Sequence, residues 1–282
     1  MLIFKRIAPL KQYLNKQRDL GLSIGFVPTM GALHPGHISL ISNSRRQNDL
    51  TLCSIFVNPL QFNKADDLER YPRIFFRDAQ MLQAEGCSIL FYPEVDEMYP
   101  TDDKTVFNFY LGKLDTLFEG KERPGHFAGV AKVVKKLFDI SGRCKAYFGL
   151  KDYQQCMVIE KLVHDFDLPI ELNFCPTIRE KDGLAMSSRN VRLNEDERKS
   201  AIKLSQMLFH VKKQWGKRPV NILEEEARNF LDSDPLIKTE YFNIVNGKTL
   251  EPLLDANTSE PVVAIVASNI GQVRLIDNLI IQ

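Results

Sequence analysis

The chain has 282 residues, 44% of them hydrophobic and 26% charged, with 15 Gly and 14 Pro. That mixture excludes collagen-like, low-complexity and wholly disordered chains, and the length suits one large domain or two with a sizeable core. The 37 Lys and Arg against 36 Asp and Glu leave a net charge of +1. No whole-chain basic field therefore draws nucleic acid or anionic lipid, although a local basic pocket for a small anion stays open.

The opening MLIFKRIAPLKQYL meets charges too early for a signal peptide. No run approaches the roughly 18 apolar residues of a membrane span. Cys53, Cys87, Cys144, Cys156 and Cys175 are odd in number and never spaced as C-x-x-C; four sit among apolar or aromatic neighbours. They read as reduced, buried thiols, and a cytoplasmic location is expected.

LSIGFV (22–27) is a compact apolar run, with Pro28 set to end the strand because it cannot donate to a ladder. A helical pattern runs on from Gly36. TLCSIFV (51–57) is a second buried strand, closed by Asn58-Pro59; Leu68 to Ala84 reads as a helix and SILFY (88–92) as a third strand. His126 to Ile140 places Val130, Val133, Val134, Leu137 and Phe138 at helical spacing. KAYFG (145–149), a helix from Tyr153 to Phe166, and IELNF (170–174) follow. Strands separated by such helices predict an α/β fold: a Rossmann-like parallel sheet covered on both faces.

Beyond about residue 177 two charged helical stretches, Glu195–Gln214 and Asn221–Asp232, precede strand-like runs at 240–246, 262–268 and 273–281. A smaller C-terminal α+β domain is expected, the chain dividing into 1–176 and 177–282. KVVKK (132–136) reads as a helix with its lysines outward, and Trp215 as a packing residue.

Two polar segments fall where open α/β sheets bind ligands, beyond strand ends. The first is Met30-Gly31-Ala32-Leu33-His34-Pro35-Gly36-His37. Its glycines permit a tight turn and close approach of backbone to phosphate, and the helix start supplies free N–H groups. The two histidines can donate to charge developing on phosphate; H-x-x-H without the Glu of H-E-x-x-H does not suit a zinc protease helix. The second is DGLAMSSRN (182–190), a polar loop whose hydroxyls and Arg189 suit phosphate oxygens. Taken alone, it reads better as a surface linker between domains.

Together the two segments resemble the signature pair of the nucleotidylyltransferase and class I aminoacyl-tRNA synthetase superfamily. The whole chain resembles, more narrowly, the pantothenate synthetase family. PTMGALHPGH, SIFVNPLQF (54–62), YPR (71–73), RPGHFAGVAKVVKKLF (123–138), FGLKDYQQ (148–155) and DGLAMSSRN carry the likeness. The resemblance implies that pantoate carboxylate attacks the α-phosphate of ATP, and that β-alanine then attacks the adenylate to give pantothenate and AMP. It implies Mg2+, a homodimer formed through the larger domain, and no nucleic-acid or membrane partner.

Residue by residue, the resemblance assigns ATP binding to Met30, Gly31, Ala32, Leu33, His34, Pro35, Gly36 and His37. It adds Gly149, Leu150, Lys151 and Asp152, the backbone of Ile178, and Met186, Ser187, Ser188 and Arg189. His34, His37, Lys151 and Arg189 become the catalytic set. Gln61 and Gln155 match the pair that holds pantoate, with Asn58 near the same pocket; Arg123 and His126 border either the pantoate or the triphosphate pocket, and Asp78 matches an acidic position associated with magnesium. One departure is Leu150, where the family usually has Glu. Two rival readings are a nucleotidylyltransferase that stops at the adenylyl product and a synthetase-like nucleic-acid module. The glutamine pair speaks against the first, and the near-neutral charge against the second.

Overall fold

The computed structural model describes residues 1–63, 68–102 and 106–282. Backbone contacts divide them into two units. One comprises Met1–Gly149 and Gln155–Cys175; the other comprises Leu150–Gln154 and Pro176–Gln282. The cut at Cys175 lies one residue from the expected boundary. The five residues after Gly149 instead group with the second unit.

The first unit is built on six parallel strands, β1 (Leu2–Phe4), β2 (Ile24–Thr29), β3 (Leu50–Ile55), β4 (Ile89–Phe91), β5 (Cys144–Gly149) and β6 (Ile170–Cys175). Their order across the sheet is β1-β4-β3-β2-β5-β6. Five of these strands are legible in the sequence; β1 is an addition, pairing Leu2 with Ile89 and Phe4 with Phe91. Order reverses between β2 and β5, so the carboxyl end of β2 lies at a topological switch point, where open sheets bind ligands.

Alternation along the strands fills both faces. On one, Val27, Cys53, Leu90 and Tyr147 pack with Leu40 and Ile41 of the helix Pro35–Gln47 and Leu82 of the helix Phe75–Ala84. On the other, Phe26 and Phe148 meet the Phe138 ring of the helix His126–Ser141 at centroid distances of 6.4 and 6.3 Å. Each fully buried aromatic of this kind contributes about 2–3 kcal/mol.

Three departures from the sequence reading have local causes. Strand β2 continues through Pro28 to Thr29, because pairing with β5 is confined to Gly25 and Phe26 and the missing N–H interrupts no bond there. The helix expected from Leu68 to Ala84 is interrupted: Leu68 and Glu69 are helical, and the chain resumes a helix only over Phe75–Ala84, since Pro72 disfavours helical geometry at Tyr71. Lys132 and Lys136 do not simply point to solvent; their ammonium groups lie 5.8 and 5.6 Å from the Tyr99 ring centre.

In the second unit an antiparallel sheet, β7 (Ile237–Asn246), β8 (Val262–Ile270) and β9 (Val273–Ile280), packs against the helices Glu195–Gln214 and Val220–Asp232. Leu204, Leu208, Leu223, Leu231, Phe242, Ile244 and Val266 form its core. The longer helix starts on a capping box: Asn194 Oδ1 accepts the N–H of Glu197, and the Glu197 carboxylate accepts the N–H of Asn194. No helix among the described residues is long and apolar enough to cross a membrane.

Candidate active site

In the first unit the turn after β2 is held open by backbone geometry that few residues adopt. Gly31 has φ +82° and Ala32 φ +50°. A Cβ on Gly31 would sit 3.0 Å from both Asp78 Oδ2 and Ile55 Cγ2, so glycine answers both strain and crowding. Asp78, 1% exposed on the helix Phe75–Ala84, braces this turn: Oδ2 accepts the N–H of Ala32 at 2.8 Å and Oδ1 that of Leu33 at 2.9 Å. Burial pushes its carboxyl up from the ordinary range, against the pull of these two donors.

Next come the two histidines, around the start of the helix Pro35–Gln47. His34 is the N-cap, and its Nδ1 accepts the N–H of Gly36 at 3.2 Å; His37 Nδ1 accepts the N–H of His34 at 3.3 Å. Both imidazoles thus use Nδ1 as acceptor, which leaves Nε2 to carry the proton. Their centroids are 4.0 Å apart. The pair is half-buried at a helix N-terminus, a place that favours an anion.

Asn58 and Gln61 sit on the turn after β3 and form a buried amide knot. Asn58, fully buried, donates from Nδ2 to Gly129 O at 3.1 Å and to Gln61 Oε1 at 3.2 Å. Its Oδ1 accepts Leu60 N–H at 3.2 Å and Tyr99 O–H at 3.0 Å. All four hydrogen-bonding positions of the Asn58 amide are therefore taken within the protein. Gln61 Nε2 lies 2.7 Å from Met30 Sδ, linking this knot to the β2 turn. His126 Nδ1 donates to Gln61 O at 2.8 Å, and Arg123 Nη1 donates to His126 Nε2 at 3.2 Å. Gly129 allows the close approach: a Cβ there would collide with Leu60 O. Gln155 is half-buried on the helix Tyr153–Asp165.

Asp78, matched to the magnesium position, is seen here as a brace for the turn. Both Asp78 oxygens are committed to backbone donors in a buried setting, and the described residues contain no cluster of three or more His, Cys, Asp or Glu able to hold a metal. A cavity of about 130 Å³ beside the turn is lined by Met30, Gly31, Phe56, Arg73 and Asp78 among others.

In the second unit Leu150–Asp152 forms a tight turn. Lys151 Nζ lies 3.7 Å from Asp152 Oδ1, and the Asp152 carboxylate is half exposed. The later loop is shaped as a short hairpin: Arg179 bridges Ala185, Met186 N–H donates to Ile178 O at 2.9 Å, and Gly183 turns at φ +93°. Asn190 donates to Glu180 Oε1 at 2.7 Å and Ala185 O at 3.0 Å, while Arg198 ties Glu180 to Asp182. Ser187 Oγ accepts Arg189 N–H at 3.2 Å; Ser187 and Ser188 are half-buried and Arg189 exposed.

Sequence reasoning missed two residues of this unit. Asn278, on β9, donates from Nδ2 to the carbonyls of both Leu150 and Lys151, at 2.9 and 2.8 Å. Its neighbour Asp277 takes the Arg179 guanidinium in a fork of 2.6 and 3.0 Å. The available signal was a pair of adjacent polar residues inside the apolar run VRLIDNLII, with both positions buried.

The sequence model of the family described as Pantoate-beta-alanine ligase matches residues 2–280. A pantothenate synthetase of Caldicellulosiruptor bescii is 44% identical over all of this chain and 99% of the relative; one of Aquifex aeolicus is 42% identical over 100% and 99%. The crystal structure of a Thermus thermophilus pantothenate synthetase matches at TM-score 0.92 and 41% identity, over 100% of this chain and 99% of that one. A Francisella tularensis pantoate-beta-alanine ligase, complexed with beta-gamma ATP and beta-alanine, matches at TM-score 0.81 and 37% identity, over 100% and 98%.

Proposed function

The chain belongs to the pantoate–β-alanine ligase family, and from that premise we propose that it joins pantoate to β-alanine at the expense of ATP. A pantoate carboxylate oxygen attacks the α-phosphorus; the bond to the bridging oxygen breaks and pyrophosphate leaves with the electron pair. The β-alanine amine then attacks the acyl carbon of the pantoyl adenylate, loses a proton, and expels AMP. Adenylation turns a poor acylating agent into a good one and divides a hard step into two.

The observation that carries this reading is the turn Met30–His37 itself. It sets a helix N-terminus and two Nε2-protonated imidazoles at the carboxyl end of a switch-point strand. We assign His34 and His37 to hydrogen bonds with charge developing on the phosphates, since phosphoryl transfer asks mainly for positioning and electrostatics. Lys151 and Arg189 add positive charge, Ser187 and Ser188 hydroxyl donors, and Gly149, Leu150 and Ile178 backbone contacts to the nucleotide. Asp152 orients the ribose. Gln61 and Gln155 hold pantoate, with Arg123 at its carboxylate. Asn58 acts through Gln61, because its own amide has no position left for substrate. Magnesium enters with the phosphates of ATP in this reading, and no step is routed through a protein-held ion.

A homodimer and a cytoplasmic location belong to the same reading, the latter supported by five free, buried thiols. Sedimentation of the purified chain tests the dimer. The activity test supplies pantoate, β-alanine and Mg·ATP and follows AMP and pyrophosphate. Formation of both only with all three substrates supports the ligase. ADP as product rejects it, and pyrophosphate release indifferent to β-alanine, with no AMP set free, favours a transferase that stops at the adenylate.

A further inference from the structure

We propose that Asn278 is a positioning residue for the ATP-dependent step, holding the Lys151 turn through its backbone carbonyls. This rests on the assignment of Lys151 to ATP given above.

The contact set is unusual for a residue near the end of an edge strand. Among the described residues strand β9 pairs only with β8, where Asn278 faces Ile265 and Asp277 faces Val266. Both residues are nonetheless only 5% exposed. The two amide hydrogens of Asn278 go to consecutive carbonyls, Leu150 O and Lys151 O, and so hold the two peptide planes that flank the Lys151 Cα, from which the lysine side chain departs. A side chain that reaches for a phosphate gains from such preorganisation, because a small displacement of its root moves the ammonium further.

The same dipeptide also secures the later loop. Arg179 forks onto Asp277, donates from Nη2 to Asn278 O at 3.3 Å, and from Nη1 to Gly183 O at 3.2 Å. Asp277 Oδ1 in turn accepts the N–H of Asn278 at 2.7 Å. Two segments proposed for one nucleotide, Leu150–Asp152 and the loop running to Arg189, therefore share an anchor in β9. A purely structural role would need neither a double donor aimed at the Lys151 turn nor its connection to Arg179. Tyr153 provides independent support for the fold here, donating its hydroxyl to Gly247 O at 2.9 Å.

The test is a double-mutant cycle read by pantoate-dependent ATP–pyrophosphate exchange, with Lys151→Ala, Asn278→Ala and the double variant. Asn278→Ala is expected to slow exchange by roughly ten- to a hundredfold and to raise the ATP KM, a loss typical of residues that orient a functional group. The pantoate KM should stay within about twofold. On the Lys151→Ala background, Asn278→Ala should cost less than about twofold more, because the residue acts through the lysine. Asn278→Ser, which keeps one donor, should fall between wild type and alanine; it carries the same cycle should the alanine variant fail to fold. Losses that simply multiply, or exchange in Asn278→Ala equal to wild type, overturn the inference while leaving the ligase reading intact. Wild-type protein without pantoate-dependent exchange strikes the ligase reading, and this inference falls with it. Full exchange in Lys151→Ala removes the lysine assignment and the positioning role together.

Discussion

The Asp78 carboxylate accepts the backbone N–H of Leu33 at 2.9 Å across 45 positions of chain, and with its second oxygen holds Ala32. A left-handed glycine and alanine in succession make an unstable turn alone, and this brace keeps it in place. Removing the brace leaves two buried N–H groups unpaired. Asp78→Ala should therefore lower unfolding stability by about 2–4 kcal/mol, measured by urea denaturation, and slow pyrophosphate exchange. The magnesium concentration for half-maximal activity should stay at the wild-type value. A large rise in that concentration would identify Asp78 as a metal ligand after all.

The buried amide knot makes a second prediction. Gln61→Ala removes a group proposed to touch pantoate, so the pantoate KM should rise, with a stability loss of about 1–2 kcal/mol from the buried amide and its bond to Asn58. Asn58→Ala should raise the same KM and also destabilise the protein by about 2–3 kcal/mol, since it strands Gly129 O and the Tyr99 hydroxyl. Steady-state kinetics beside thermal melts separate the two behaviours. An unchanged pantoate KM in Gln61→Ala removes that residue from the pocket.

For the histidines the expected loss is in kcat. His34→Ala and His37→Ala should each cost about 2–4 kcal/mol of transition-state stabilisation, a fall of roughly two to three decades in exchange rate. Because each Nδ1 also accepts a backbone N–H at the helix start, His34→Asn offers a control: its amide oxygen can cap the helix but lacks imidazole chemistry. Stability near wild type with activity still lost assigns the effect to catalysis, whereas full activity in His34→Asn assigns it to capping.

Much of this arrangement was legible because it depends on local rules. Apolar runs of five to seven residues ended by proline or glycine mark β2 through β6, and His34–His37 declares itself through neighbouring glycines and a helix start. What escaped notice depends on distant partners. Strand β1 is three residues long and gains meaning only from Ile89–Phe91. Helix Ile7–Asp19 buries only Leu10 and Leu14 and has no side-chain cap, so its periodicity is faint. Asp78 sits in what reads as an ordinary amphipathic helix, and nothing local aims its carboxylate at Ala32 and Leu33. Asn278 is separated from the carbonyls it holds by 127 and 128 positions, and only the polar pair in an apolar strand hinted at a task.

The thiols make a prediction whose sign is set by burial. Cys87 is 3% exposed and Cys144 7%, and desolvation pushes each pKa up from 9.0 to about 11. The folded protein therefore favours the protonated thiol. Its contribution is fully present below pH 9 and is lost as pH rises through about 11, because the unfolded chain ionises first. A shift of this size corresponds to about 2–3 kcal/mol per thiol at the alkaline end. Urea denaturation from about pH 7 to about pH 11 should show stability falling across that window. In Cys87→Ala the fall should be shallower, although neutral-pH stability drops by about 1 kcal/mol for the lost packing. Iodoacetamide at about pH 8 should label neither thiol in the folded state and both in urea. Rapid labelling of Cys87 or Cys144 in native protein, or an alkaline limb unchanged by Cys87→Ala, would show that burial does not hold these thiols protonated.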